Sequence, residues 1–172
     1  MIKKNNNQGF TVLEIGVSLL IISVGMLGVL SLIVQNIRAD DVDRNRIIAS
    51  QLAQEGLELV RNQRDYNWLS EDNWIRDVAE EDSYTIDYQL DTYSGVDDIS
   101  DPETLLYLND DGFYVHDDED NQPSRFRRII KVEVVDEEAA STTVSSLVQW
   151  EDRGSTYQYV AETDLYNWRP RD

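Results

Sequence analysis

Apolar residues are concentrated near the start of the chain. From Ile15 to Val34 there are twenty consecutive residues without a formal charge. As an α-helix, which rises about 1.5 Å per residue, this run is roughly 30 Å long and matches the hydrocarbon thickness of a bilayer. A helix buried in a soluble core would be shorter and show a polar face, and the apolar core of a secretory signal peptide has only roughly 7 to 15 residues. The pattern therefore predicts a transmembrane helix.

After the apolar run the pattern stays helical but becomes amphipathic. Apolar or small residues recur at three- and four-residue spacing from Ile48 to Val60, with polar residues between them. No proline falls between Phe10 and Pro102, so we predict one helix from about Thr11 to Arg64. Its second half is expected to pack on a sheet through one stripe, formed by Ile48, Ala49, Leu52, Ala53, Gly56, Leu59 and Val60.

The remainder of the chain contains short alternating stretches that are typical of β-strands. Alternation is clearest from Ser83 to Leu90, and two pairs of later stretches flank turn-rich segments, which indicates hairpins. The side chains expected to pack on the core from these strands and from the C-terminus are Tyr84, Tyr88, Trp150, Leu165 and Trp168. The predicted strands are Ser83 to Leu90, Leu105 to Leu108, Phe113 to Val115, Phe126 to Val135, Val144 to Trp150 and Thr156 to Ala161.

Together these patterns predict an α+β fold. A long N-terminal helix, transmembrane in its first half and amphipathic in its second half, is expected to pack on a C-terminal antiparallel β-sheet. The chain of 172 residues is long enough for one domain of this kind and an appended helix, and too short for two full domains.

Charge is distributed unevenly between the two parts. The whole chain has 15 basic and 34 acidic residues and a formal net charge of -19. Residues 1–64 carry a net charge of +1, whereas residues 65–172 carry -20. Nucleic-acid affinity depends on cations that neutralise phosphates, so the acidic domain is not expected to bind nucleic acid. A highly solvated surface is the expectation, with divalent-cation binding as the alternative.

The residues around the start of the apolar run set its expected orientation. Lys3 and Lys4 precede it, and the positive-inside tendency keeps them in the cytoplasm, with the acidic domain across the membrane. Glu14 lies at the edge of the run, where an unpaired carboxylate costs several kcal/mol. Its partner must be water, a lipid headgroup or another molecule, unless it is an interfacial glutamate stabilised by the helix dipole.

The segment Gln8-Gly9-Phe10-Thr11-Val12-Leu13-Glu14 and the apolar run after it closely resemble the N-terminus of type IV pilins and type II secretion pseudopilins. The resemblance implies that a membrane peptidase cuts after Gly9, that Phe10 becomes N-methylated, and that Glu14 is the glutamate at the fifth mature position. It also implies a partner for Glu14, because the new α-amino group of Phe10 in one subunit can pair with Glu14 of its neighbour. The stretch Ile22 to Leu30 is similar to that of minor pilins and the smaller pseudopilins.

The resemblance also implies a division of the chain and a function. Residues 1–9 are the leader peptide, 10–34 the transmembrane and assembly helix, 35–64 its amphipathic continuation, and 65–172 the acidic globular domain. The implied protein is a minor pilin or pseudopilin subunit of the inner membrane, with its C-terminal domain outside the cytoplasm. It is processed by a prepilin peptidase and methyltransferase and joins other pilin subunits in a pilus-like or secretion-like filament, periplasmic or at the cell surface. Two alternatives stay open: a surface adhesion or binding module carried on such a filament, and an unprocessed single-pass anchored protein.

The acidic domain offers few groups for catalysis or metal binding. The chain has no cysteine and one histidine, His116, and no serine in a nucleophile-elbow setting, so it is not expected to be an enzyme. An EF-hand alignment on Gly112 fails because Tyr107 falls where the first carboxylate should be. No cofactor is expected, and an irregular calcium site is the weaker alternative. Its candidate ligands are Asp110, Asp111, Asp117 and Asp118.

Overall fold

The computed structural model describes residues 11–78, 82–88, 94–136 and 141–167. The chain divides into two compact units, one ending at Asp43 and the other beginning at Arg44. Helix α1, Val12–Leu69, begins in the first unit and ends in the second. The single long helix that the sequence predicts is therefore confirmed, although it ends at Leu69 instead of Arg64.

The first unit contains the apolar half of α1. The helix is capped at its start, where the Glu14 backbone N–H donates to Thr11 Oγ1 at 3.3 Å. Two serine hydroxyls in the apolar run donate to carbonyl oxygens one turn earlier, Ser18 to Glu14 at 2.8 Å and Ser23 to Leu19 at 2.7 Å. These polar groups are satisfied within the helix itself, as an apolar environment requires.

The second unit contains the amphipathic half of α1 and, in its described residues, a sheet of seven strands, all paired antiparallel. The predicted α+β architecture, with α1 packed on an antiparallel sheet, is confirmed. A single turn of 3₁₀-helix, Pro102–Thr104, precedes the third strand. The strands are β1 Ser83–Thr85, β2 Ser94–Gly95, β3 Leu105–Leu108, β4 Tyr114–Val115, β5 Gln122–Asp136, β6 Ser141–Asp152 and β7 Ser155–Tyr166.

The long strand β5 organises the sheet. On one edge it pairs with β6, which in turn pairs with β7. The other edge is divided between two strands: β1 pairs with Ile130 and Lys131 of β5, whereas β3 pairs with β5 between Gln122 and Arg127. Strand β2 extends the first branch and β4 the second. Arg128 and Ile129 lie where the two branches separate.

The core lies between α1 and one face of the sheet, and the predicted stripe forms its helical side. The closest approach is at Gly56, where an added Cβ would lie 2.7 Å from Ser146 Oγ and 2.9 Å from Ile130 Cδ1. Among the stripe residues Ile48 is only partly buried. The main core side chains are Leu52, Ala53, Leu57 and Val60 from α1 and Phe126, Ile130, Val132, Val144, Val148 and Trp150 from the strands.

The predicted strand from Ser83 to Leu90 is wrong beyond Thr85. Strand β1 ends there, and the expected alternation of faces fails, because Thr85 and Asp87 are as buried as Tyr84 and Ile86. Tyr88, expected to face the core, is 44% exposed. The reason is that the chain leaves the ladder after Thr85 and passes between the two branches of the sheet, where a buried arginine contacts it. Leu90 lies outside the described residues.

The final hairpin, formed by β6 and β7, is confirmed and is longer than predicted at both ends. Its two-residue turn is Arg153-Gly154, with φ of 50° and 80°. Two successive positive φ angles are those of a type I′ turn, which matches the twist of a hairpin and favours glycine at the second position. Leu165 is buried, as predicted, whereas Trp168 lies outside the described residues.

Candidate functional site

The predicted processing and assembly residues lie at the start of the chain. Gly9 and Phe10 are outside the described residues. Glu14 is in the first turn of α1, where the helix dipole favours a negative charge. Among the described residues, no basic side chain pairs with the Glu14 carboxylate.

The part of α1 that follows Glu14 exposes its apolar side chains on every side. From Val12 to Ile37 each large apolar residue is roughly half exposed or more, with Leu13 at 77% and Leu27 at 67%. By length and composition this helix is a candidate membrane span. So much contiguous apolar surface requires a cover of lipid or of other helices.

The calcium candidates lie in two exposed loops. Asp110 and Asp111 are in the turn between β3 and β4, which is closed by Asn109 Oδ1 accepting from the Phe113 N–H at 2.8 Å. Asp117 and Asp118 follow β4. In the part of the chain that the structure describes, no group of three or more His, Asp or Glu side chains is placed to hold a metal ion.

A buried cluster around Arg128 lies at the division of the sheet edge. The Arg128 side chain is fully buried. Its Nη1 donates to the carbonyl oxygen of Leu52 and to Glu55 Oε1, both at 3.1 Å, and its Nη2 donates to the carbonyl oxygen of Ile86 at 2.5 Å. Burial lowers the pKa of Arg128, and the charges of Glu55 and Asp87 oppose that effect. One side chain therefore joins α1, β5 and the segment after β1.

Asp87 and His116 extend the cluster to the segment after β4. Asp87 is fully buried, and its Oδ2 accepts from the His116 backbone N–H at 3.2 Å. His116 Nδ1 lies 3.0 Å from the Glu103 carbonyl oxygen, so Nδ1 carries the proton and donates. Burial, together with the charge of Arg128, lowers the pKa of His116 to about 4. The imidazole is therefore neutral at neutral pH, and the cluster links α1, β5 and the segments after β1 and β4.

The cluster was not predicted, although the sequence holds a signal for it. The alternation of β5 that predicts Ile130 and Val132 to face the core places Arg128 on the same face. A charged residue at a core-facing position indicates a buried partner. The partners Glu55 and Asp87 come from distant parts of the chain, so their identity required the structure.

Comparison of the chain with protein-family models, curated proteins and solved structures gave no match. Function is therefore inferred from the residues of this chain and from the surfaces that they form.

Proposed function

We propose that this chain is a minor pilin or pseudopilin, a subunit of a type IV pilus-like or type II secretion-like filament. The observation that carries the proposal is the sequence Gln8 to Glu14 together with the following part of α1, Ile15 to Val34, which is apolar on every side. Each part has a separate physical role. The segment supplies a cleavage site and one carboxylate, and the helix supplies the surface that must be covered.

Hydrolysis of the bond between Gly9 and Phe10 by a membrane peptidase removes the leader, including Lys3 and Lys4. It creates an α-amino group on Phe10, which a methyltransferase then methylates. The amine remains a cation after methylation, so it supplies the positive charge that the described residues around Glu14 lack.

Glu14 of one subunit then pairs with the amine of Phe10 in a neighbouring subunit. An unpaired carboxylate in an apolar environment costs several kcal/mol of free energy. Pairing of Glu14 with this amine removes part of that cost and so favours association of the two subunits. A buried pair of this kind specifies register more than it adds stability. Apolar packing of the helices supplies contact area, and the ion pair selects one stagger between neighbours. A heterologous interface that does not close generates a filament.

Before assembly the protein is anchored in the inner membrane by α1, with residues 65–172 outside the cytoplasm. The two lysines of the leader support this orientation through the positive-inside tendency. The partners are the processing peptidase and methyltransferase, the inner membrane, and other pilin subunits.

Mass spectrometry of the N-terminus of protein taken from its own cell envelope tests the proposal. The expected mature chain begins at Phe10 and carries a methyl group on its α-nitrogen. A matched control is the Gly9→Leu variant, which is expected to keep residues 1–9 because the small residue at the cleavage site is lost. Recovery of the unaltered chain with Lys3 and Lys4 still attached would contradict processing and leave a permanent membrane anchor.

A further inference from the structure

A polar cavity of about 320 Å³ opens on the second unit, lined by Arg125, Arg127, Gln149, Trp150 and Glu151. Phe126 and Trp150 belong to the core, so the residues that alternate with them along β5 and β6 project from the opposite face of the sheet. Arg127 lies directly across from Gln149 in the ladder. The cavity is therefore on the face of the sheet that points away from α1.

Several hydrogen-bond donors at this cavity have no acceptor among the described residues. Arg127 is held by Nη1, which donates to the Asp101 carbonyl oxygen at 2.7 Å and to Thr104 Oγ1 at 3.1 Å. Its Nε and Nη2 remain available. Arg125 forms an ion pair with Asp152, with Nη1 3.6 Å from Oδ1, but the distance is too long for a hydrogen bond, and the Arg125 side chain is 51% exposed. Both guanidinium groups can therefore bind an additional acceptor.

The other polar side chains of the cavity add directional groups. Gln149 Oε1 accepts from Gln158 Nε2 at 3.0 Å, which orients the Gln149 amide and leaves its N–H donors available. Glu151 forms no ion pair or hydrogen bond with the other described side chains, so its carboxylate can accept from a hydroxyl. The cavity thus combines two cations, one amide and one carboxylate.

This combination fits a ligand that has one carboxylate beside several hydroxyl groups. Two guanidinium groups recognise a carboxylate, while an amide and a carboxylate together can donate to and accept from sugar hydroxyls. The cavity volume is at the lower end of the roughly 300 to 1,000 Å³ that small-molecule sites have. The Trp150 ring is stacked on Tyr157 and only 3% exposed, so polar contacts must supply the recognition.

The charge of the domain argues against a polyanion. Residues 65–172 carry a net charge of -20, and this field repels a densely charged polymer before it reaches the two arginines. A monocarboxylate with neutral hydroxyls meets less repulsion and makes the same short-range contacts. We propose that this cavity binds a single hexuronic acid unit of a polysaccharide whose neighbouring sugars are neutral. The inference does not depend on filament assembly.

Titration of the full chain in detergent micelles with glucuronate, followed by NMR or calorimetry, tests the inference. Roughly millimolar affinity is expected for a ligand of this size, and no binding of glucose, which lacks the carboxylate. The Arg125→Gln variant should weaken glucuronate binding about tenfold or more. Lys131→Gln is the matched control, because Lys131 is an exposed cation on the same strand and face but does not line the cavity. Equal loss in the two variants, or no binding by the unaltered chain, would overturn the inference.

A second set of titrations distinguishes a sugar carboxylate from a protein carboxylate. The Glu151→Gln variant should bind acetate at least as well as the unaltered chain but bind glucuronate more weakly, because only glucuronate uses the hydroxyl acceptor. N-acetylaspartate amide, which carries a peptide-type carboxylate, should bind more weakly than glucuronate. If it binds as tightly, the site takes acidic protein segments and the uronic acid assignment is wrong.

Discussion

Two charged residues of this protein, Glu14 and Arg128, lie in opposite situations. Arg128 is fully buried in the second unit and finds two carbonyl oxygens and the Glu55 carboxylate within its own domain. Glu14 lies in the first unit beside apolar residues and pairs with no basic side chain among the described residues. Among the described residues, Arg128 therefore has an ion-pair partner and Glu14 has none.

The difference indicates what each charge does. A buried arginine with partners on several elements fixes how those elements pack, so its loss is expected to lower the stability of the domain. A carboxylate that pairs with no basic side chain among the described residues is a candidate for pairing with another molecule. We therefore expect Arg128 to stabilise the second unit, and the proposed assembly role of Glu14 stays a prediction.

The largest expected effect is that of Glu14→Ala on assembly. If Glu14 pairs with the Phe10 amine of a neighbour, its removal leaves that amine unpaired in an apolar environment, and incorporation into filaments should fall more than about tenfold. Quantitative immunoblotting of sheared filaments measures this. Asp43→Ala is the matched control, since Asp43 is another exposed acidic residue of α1. Normal incorporation of the Glu14→Ala variant would show that Glu14 does not act between subunits, in contrast to the role proposed for it here.

Arg128→Ala should have the largest effect on stability. It leaves Asp87 buried without its nearby cation and opens a void beneath α1, and the expected loss is about 3 to 5 kcal/mol. Arg128→Met retains most of the volume and should cost less. Urea unfolding of the full chain in micelles, followed by tryptophan fluorescence, measures both. Lys131→Ala on the same strand should change stability by no more than about 0.5 kcal/mol. A similarly small change for Arg128→Ala would show that the cluster does not hold the fold.

Stability should also depend on pH through His116. The pKa of His116 is about 4 in the folded protein, below its ordinary value. As pH falls, the imidazole is therefore protonated in the unfolded chain at a higher pH than in the folded protein. Stability contributed by the neutral imidazole is present above the unfolded pKa of about 6.5 and is lost as pH falls towards 4. The expected loss is about 1 to 3 kcal/mol. In His116→Asn, which keeps a donor near Nδ1, the dependence over this pH range should become shallower. If the slope of the unfolding free energy against pH is unchanged in this variant, the pH dependence comes from the acidic residues and not from His116.

Substitution of two glycines of α1 is expected to have the smallest effect on stability, and it tests how closely the helix packs on the sheet. An added Cβ at Gly56 would press on Ser146 and Ile130, whereas one at Gly25 meets nothing within 4 Å. Gly56→Ala should therefore destabilise the domain by about 1 to 3 kcal/mol, despite the better helix propensity of alanine. Gly25→Ala should leave urea unfolding of the domain unchanged. Equal behaviour of the two variants would mean that α1 does not pack on the sheet as closely as described.

The elements with a strong period could be predicted from the sequence. Helix α1 has an apolar run followed by an amphipathic stripe, and the β6–β7 hairpin has long alternation around a Gly154 turn. The strand predicted from Ser83 to Leu90 failed because alternation records only which residues are apolar. It does not record that Asp87 lies inside the domain near Arg128, nor that the chain leaves the sheet after Thr85.

The charged sites differ in the same way. The role of Glu14 stays a prediction, and it could be made because a lone carboxylate beside an apolar run is visible in the sequence alone. The Arg128 cluster and the cavity at Arg125 and Arg127 depend on contacts between residues far apart in the chain, so alternation gives at most the face on which each side chain lies. The acidic composition of the domain also conceals that cavity, because a net charge says nothing about where the few cations lie.

The narrow gap at Gly56 has a mechanical consequence. A slip of α1 along the sheet by one turn, about 5.4 Å, would bring Leu52 or Val60 to the place where only a hydrogen fits beside Ser146. The same slip would pull the Leu52 carbonyl oxygen and Glu55 away from Arg128. In the second unit, α1 can therefore slide along the sheet only if the packing at Gly56 and the hydrogen bonds of Arg128 are lost together. A pulling force on the second-unit part of α1 would therefore act on the β-sheet through all of these contacts together.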